Sequence, residues 1–240
     1  MRLKEKLCAA TNTSHRSVTI AFLGDSVTQG CFECYVNEAG GIETVYDYSS
    51  AYSTRLREIL NLLYPNVQVN IINSGISGDN SVNGLRRLQE DVLSHDPDLA
   101  VVSFGLNDSV NGGKAGLEAY RENIRQILQT LKSKNIQTIF LTQNFMNTYV
   151  SCHLQEPLLR QIAANAAQVQ ADGLLKAYME AAKQEATACG AGICDMYSAW
   201  EQMAAAGMDT TALLSNHINH PVRVFHNYMA IKLIECILSA

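Results

Sequence analysis

With 240 residues, 18 basic against 23 acidic side chains and a formal net charge of -5, the chain lacks the basic excess that would neutralise nucleic-acid phosphates. Hydrophobic residues make up 47% and charged residues 17%, a balance that builds a packed core and excludes a disordered chain. No apolar run approaches the about 20 residues that cross a bilayer, which removes membrane-spanning classes.

The N-terminal MRLKEKLCAATNTSHRS is charged but has no apolar stretch, so an export signal is not expected. A single domain over 1–240 is expected, with 1–16 as an N-terminal arm. Seven cysteines at 8, 31, 34, 152, 189, 194 and 236 are odd in number and scattered. That suits reduced thiols and a cytoplasmic location better than a disulfide framework. Cys31-x-x-Cys34 has no second pair at zinc-site spacing, so no metal is expected.

Short apolar runs then alternate with helical periodicity. Ser17 to Leu23 (SVTIAFL) ends in Gly-Asp-Ser, and Tyr52, Leu56, Ile59 and Leu63 follow at helix spacing. Between them, Cys31 to Tyr48 has no clear period and reads as a long loop, a lid or binding wall carrying Tyr35, Tyr46 and Tyr48. Val67 to Ile72 leads into Asn-Ser-Gly and a helix through Val82, Leu85, Leu88 and Val92, whose Arg86-Arg87 pair reads as a solvated face. Leu99 to Phe104 leads into Gly-Leu-Asn-Asp and a helix through Leu117, Tyr120, Ile124, Ile127 and Leu131. Gln137 to Leu141 is followed by Gln143 to Gln155, a second candidate wall, and by an Ala-rich stretch from Leu158 to Ala188 that forms one or two helices. Gly192 to Met196 is a weak fifth run, and Val222, Phe225, Met229, Leu233 and Ile237 mark a closing helix.

Strands alternating with helices imply βαβ units and a parallel sheet covered on both faces. Right-handed crossovers bring the strands' carboxyl ends to one edge, where open α/β sheets hold ligands. The reactive residue types gather there. Ser26 follows the first strand in Gly24-Asp25-Ser26-Val27-Thr28-Gln29-Gly30, Gly75 follows the second in Asn73-Ser74-Gly75-Ile76-Ser77-Gly78-Asp79, and Asn107 follows the third in Gly105-Leu106-Asn107-Asp108. His220 precedes Pro221 at the entry to the closing helix. Each segment alone is an ordinary turn. The three late histidines (217, 220 and 226) have no neighbouring carboxylate or thiolate to complete a metal set, and His226 is expected half-buried or solvent-facing.

The ordered set G-D-S, N-x-G-x-x-G, G-x-N-D and a late H-P resembles the SGNH hydrolases, the GDSL-type esterases and lipases, from Val18 to about Ile237. The resemblance implies a flavodoxin-like three-layer α/β/α sandwich with five parallel strands. It implies Ser26 as nucleophile, His220 as general base and acid, and an oxyanion hole from the Ser26 and Gly75 amides and the Asn107 side chain. The chemistry is coherent: a serine hydroxyl needs an adjacent base near neutral pH, and each donor to a tetrahedral oxyanion is worth about 3–4 kcal/mol. No cofactor is required.

One position departs from the pattern. The family places an aspartate three residues before the histidine, and here that residue is His217. Either His220 donates Nδ1–H to a backbone carbonyl or to Asn216, or a remote carboxylate substitutes, with Asp195 and Glu33 as candidates. Their plainer roles are a helix cap for Asp195 and a solvated loop charge for Glu33. The tyrosines favour a small-molecule or carbohydrate ester with a small acyl group. The alternatives are an acyltransferase working through the same acyl-enzyme and a non-catalytic carbohydrate-binding descendant. No nucleic-acid partner or membrane span is expected, and oligomeric state is not legible.

Overall fold

Every residue of the run LAVVS is buried, as expected of a strand covered on both faces. The computed structural model describes residues 3–239. In chain order the elements are α1 (Leu3–Ala9), β1 (Arg16–Gly24), α2 (Ser26–Gln29), β2 (Cys31–Val36), β3 (Ile42–Tyr46), α3 (Tyr52–Leu63), β4 (Val67–Gly75) and α4 (Ser81–Asp91). They continue with β5 (Leu99–Ser103), α5 (Leu106–Gly112), α6 (Leu117–Ser133), β6 (Gln137–Leu141), α7 (Pro157–Ala171), α8 (Leu174–Cys189), β7 (Gly192–Cys194), α9 (Met196–Ala205) and α10 (Arg223–Ser239).

Five strands form one parallel sheet in the order β4-β1-β5-β6-β7, flanked by helices in the expected α/β architecture. Helix α3 packs on α10, and α6 packs against both α4 and α8. Apolar side chains of the sheet, including Ile20, Phe22, Val101, Val102 and Phe140, join helix residues such as Leu56, Ile124 and Leu233 in one core cluster. The register places Gly24 beside both Gly75 and Ser103, so the exits of β4, β1 and β5 end at one level. That alignment creates the site. Among the described residues, no helix is long and apolar enough to cross a membrane.

Two segments differ from the expectation, and a third takes one of its two expected forms. Leu3 and Leu7, four apart, are buried in the core, so the first part of the expected arm is helix α1 packed on the domain. The Ala-rich stretch is two helices, broken at Gly173, which takes the left-handed region at φ 67. Cys31 to Tyr48 contains an antiparallel hairpin of β2 and β3 rather than a patternless loop. A register shift between Cys31 and Cys34 breaks its alternation, which hides the period-2 signal.

Candidate active site

The first βα turn is built around Asp25. Its Oδ1 accepts the Val27 amide (3.0 Å), capping α2, and its Oδ2 accepts Gln143 Nε2 (2.9 Å). Helix α2 holds only four residues and is closed by Gly30 in the left-handed region at φ 96. Ser26 is the first residue of α2, so its amide has no intrahelical acceptor one turn back. Asp25 is buried, and that burial pushes its carboxyl up to about 7, aided by the nearby carboxylates of Asp108 and Asp79 and opposed by the Val27 and Gln143 hydrogen bonds.

Although 194 residues separate them, Ser26 Oγ and His220 Nε2 lie 2.9 Å apart. The other ring nitrogen, Nδ1, lies 2.8 Å from the carbonyl oxygen of Phe32 on β2. A carbonyl only accepts, so Nδ1 carries the hydrogen and Nε2 presents its lone pair to the serine hydroxyl. His220 is buried, and burial lowers its basicity from 6.5 to about 4, against the opposing pull of the Phe32 carbonyl and the Glu33 charge.

The four candidates for orienting His220 separate clearly. Asn216 acts on the main chain: its Oδ1 accepts the amides of Ile218, Asn219 and His220 at 2.9–3.0 Å and folds the loop that carries the imidazole. Glu33 forms a two-pronged pair with Arg223 at 2.5 and 2.9 Å and reaches His220 only through its field. His217 turns away, stacked on His153 at 5.1 Å with φ 53. Asp195 caps α9 through Ser198 and pairs with Lys183 (2.9 Å), so the helix cap is its role. The backbone carbonyl of Phe32 therefore stands where the aspartate would. Cys34 Sγ flanks the same Nδ1 at 3.9 Å.

The two other expected oxyanion donors have protein partners. Asn107 Nδ2 donates to the Asp79 carbonyl (2.8 Å), which uses one of its two hydrogens. The single Gly75 N–H donates to Asn73 Oδ1 (3.0 Å), so this amide is engaged by its own turn rather than free. Gly75 is required by proximity: a Cβ there would sit 2.2 Å from the Gln29 backbone nitrogen.

Sequence reasoning missed Arg87. It is not a solvated charge, since only 12% of its side chain is exposed. Its guanidinium donates to the Gly24 and Ser74 carbonyls (2.9 and 2.6 Å), to Asp79 Oδ2 (2.7 Å) and to Asp91 Oδ2 (2.6 Å), tying the ends of β1 and β4 to the Asn107 support. Periodicity on α4 gives only the i+4 pair with Asp91, because the other partners lie outside the helix. Nor is His226 half-exposed. It is fully buried, accepts the Tyr52 amide on Nδ1 (3.1 Å) and packs on Phe32, and burial lowers its basicity to about 3.

The Gln143 to Gln155 segment is a brace more than a wall. Gln143, Asn144, Phe145, Met146 and Asn147 are buried, and Asn144 Nδ2 and the Asn147 amide bond to the Asn219 and Ile218 carbonyls, both at 2.8 Å. The hairpin does present tyrosines outward. Tyr35, Tyr46 and Tyr48 are exposed, with the last two rings near-parallel at 6.2 Å. Among the described residues, no group of three His, Cys, Asp or Glu side chains is placed to hold a metal.

Comparison with known proteins gives a consistent pattern. Residues 22–223 match the model of the GDSL-like Lipase/Acylhydrolase family. The chain is 28% identical over 123 residues to Thioesterase 1/protease 1/lysophospholipase L1 of Escherichia coli (strain K12), a match covering 51% of this chain and 50% of that protein. It is 26% identical over 150 residues to the acetylxylan esterase of Geobacillus stearothermophilus, covering 59% of this chain and 64% of that one. The chain thus spans about half to two thirds of the length of these two relatives. In fold, it superposes on a two-domain esterase active on acetylated mannans with a TM-score of 0.68 at 19% identity, covering 98% of this chain and 52% of the other.

Proposed function

The chain belongs to the GDSL-like lipase/acylhydrolase family, and from that premise we propose that it is a carboxylic ester hydrolase working through an acyl-enzyme on Ser26. The observation that carries the proposal is the 2.9 Å approach of His220 Nε2 to Ser26 Oγ, with Nδ1–H tied to the Phe32 carbonyl. That tautomer makes Nε2 the base. As Oγ attacks the ester carbonyl carbon, its proton passes to Nε2 and the carbonyl oxygen becomes an oxyanion. Collapse breaks the bond to the alcohol, which leaves with the proton from Nε2. Water, deprotonated by the same imidazole, then attacks the acyl-serine; collapse breaks the bond from the acyl carbon to Oγ, Nε2 returns its proton to Oγ, and the acid is released.

The Ser26 amide and the second Nδ2 hydrogen of Asn107 are the proposed oxyanion donors. The Gly75 amide contributes as a hydrogen shared between Asn73 Oδ1 and the oxyanion. A Ser–His dyad with a neutral acceptor in place of the acid stabilises the imidazolium less than a carboxylate does.

The proposed substrate is a small acyl group, acetyl foremost, on a polar or carbohydrate alcohol. The exposed tyrosines of the hairpin and the acetylxylan esterase relative support that class. The test is labelling with a serine-directed fluorophosphonate, with peptide mapping, alongside hydrolysis of acetylated and longer-chain esters. The expected result is an adduct on Ser26, turnover that falls with acyl length, and loss of both in Ser26→Ala by at least about a thousandfold. An adduct elsewhere, or turnover that survives Ser26→Ala, would refute the assignment.

A further inference from the structure

We propose that Arg223 is a positioning residue for His220, holding in register the main-chain carbonyl that takes the place of the missing acid. The proposal rests on the Ser26–His220 reading above. A carboxylate side chain beside an imidazole attracts it by charge as well as by geometry. A backbone carbonyl offers only a dipole, so its value depends on where its peptide sits. That peptide belongs to β2, whereas the imidazole enters from the loop before α10. The distance between hairpin and helix therefore sets the Phe32 contact.

The Arg223 side chain spans that distance with charged contacts to Glu33 and Asp47. Arg223 lies on the first turn of α10, three residues after His220. Its Nη1 and Nη2 donate to Glu33 at 2.5 and 2.9 Å, its Nε donates to Asp47 Oδ2 at 3.0 Å, and its guanidinium carbon sits 4.3 Å above the centre of the Phe32 ring. It thus grips the residue whose carbonyl meets His220, the residue after it and the exit of the hairpin's second strand. Asp47 in turn donates its amide to the Gly30 carbonyl (2.9 Å), at the end of the helix that carries Ser26. Hairpin, nucleophile turn and histidine loop meet through this planar fork. Lysine offers charge without the fork or the stack.

The exposure of the network makes the proposal separable from folding. Arg223, Glu33 and Asp47 side chains are 38%, 44% and 27% exposed, a range in which ion pairs add little to global stability. Removing them should disturb alignment more than the fold.

The experiment compares wild type with Arg223→Gln, Arg223→Lys and the double variant Glu33→Gln/Asp47→Asn. Arg125→Gln is the control, since its two-pronged pair with Glu122 is similarly exposed but lies on α6, outside the site. The measurements are kcat and KM on an acetyl ester, the rate of fluorophosphonate labelling at Ser26, and the melting temperature. Arg223→Gln and the double variant should lose on the order of tenfold to a hundredfold in kcat and labelling rate. KM should stay within about twofold, and melting should move by no more than the control's does. Arg223→Lys should recover only part of the loss. Wild-type kcat in Arg223→Gln, or a loss confined to KM, overturns the proposal; if Arg223→Gln does not fold, the double variant, which keeps the arginine, decides by the same criteria. A wild-type protein that is not labelled at Ser26 refutes the esterase reading and this proposal with it, whereas a labelled wild type with equally reactive variants refutes this proposal alone.

Discussion

At the level of single residues, the proposed chemistry turns on one imidazole that is only 5% exposed. Burial drives His220 down to about 4, and the Phe32 carbonyl and the Glu33 charge only partly oppose it. In the proposed mechanism the base must be neutral to accept the serine proton, so activity should be lost as pH falls through the folded-state value and not through the ordinary 6.5. The acid limb of kcat/KM should therefore have its midpoint near pH 4, with a plateau through neutrality. Glu33→Gln should move the limb further towards acid, because it removes a charge that favours the imidazolium. Rates with a short-chain ester across the acid range check this, and a limb near pH 6.5 would show an imidazole that is solvated in the working enzyme. One neighbour was not legible from local pattern. Asn216 works through its side-chain oxygen on the amides two, three and four residues on, a turn that a short sequence window contains, whereas Arg87, only 12% exposed, reaches the carbonyls of Gly24 and Ser74, which no such window contains.

At the level of elements, the strand exits do most of the work, and the tolerance is small where α2 crosses β4. A Cβ on Gly75 would lie 2.2 Å from Gln29 N and 2.7 Å from both Gln29 Cα and the Thr28 carbonyl carbon, all main-chain atoms that cannot rotate aside. Gly75→Ala must push the two apart, carrying Ser26 away from the β4 exit. The expected cost is about 1–3 kcal/mol of stability with a much larger loss of Ser26 labelling, measured by urea unfolding and by adduct formation. Normal labelling in a stable Gly75→Ala protein would mean that α2 has room the distances deny it. The elements around this crossing were largely readable. Buried parallel strands announce themselves as apolar runs, and the helices between them keep the 3.6 period, so β1, β4, β5, β6 and α3, α4, α6 stand within a few residues of their sequence-derived bounds. The hairpin was not readable, because Cys31 and Phe32 are adjacent and both buried while a register shift follows them. The acceptor of His220 sits on that element. The feature that replaces the aspartate is a main-chain atom, and every residue type carries the same one.

For the molecule as a whole, the buried titratable groups around the site make stability depend on pH with opposing signs. His220 and His226 are depressed by burial to about 4 and about 3, from 6.5. Between those values and 6.5 the unfolded chain binds protons that the folded one refuses. Their contribution is thus complete above pH 6.5 and is lost as pH falls through the folded-state values. Asp25 acts in reverse. Raised by burial from 3.8 to about 7, it keeps a proton when folded that the unfolded chain has released, so stability drains as pH rises from about 4 to about 7. From pH 4 to 6.5 the two imidazoles oppose Asp25, which is joined towards the acid end by the raised carboxyl of Asp108, and stability rises towards 6.5; from 6.5 to 7 the Asp25 effect dominates and stability falls slightly. Carboxylates held low by their partners, Glu33 by Arg223 and Asp209 by Tyr149, add to the loss at lower pH. The unfolding midpoint in urea should peak near pH 6.5. Asp25→Asn keeps an oxygen for the Val27 amide and cannot ionise, so it should be close to neutral at pH 4 and stabilising at pH 8, on the order of 1–3 kcal/mol after the weakened hydrogen bonds are set against the gain. An Asp25→Asn protein no more stable than wild type at pH 8 would mean that the carboxylate beside the nucleophile is fully accommodated as an anion by its two donors. The buried charge would then be a settled part of the turn, with no cost left for the rest of the fold to offset.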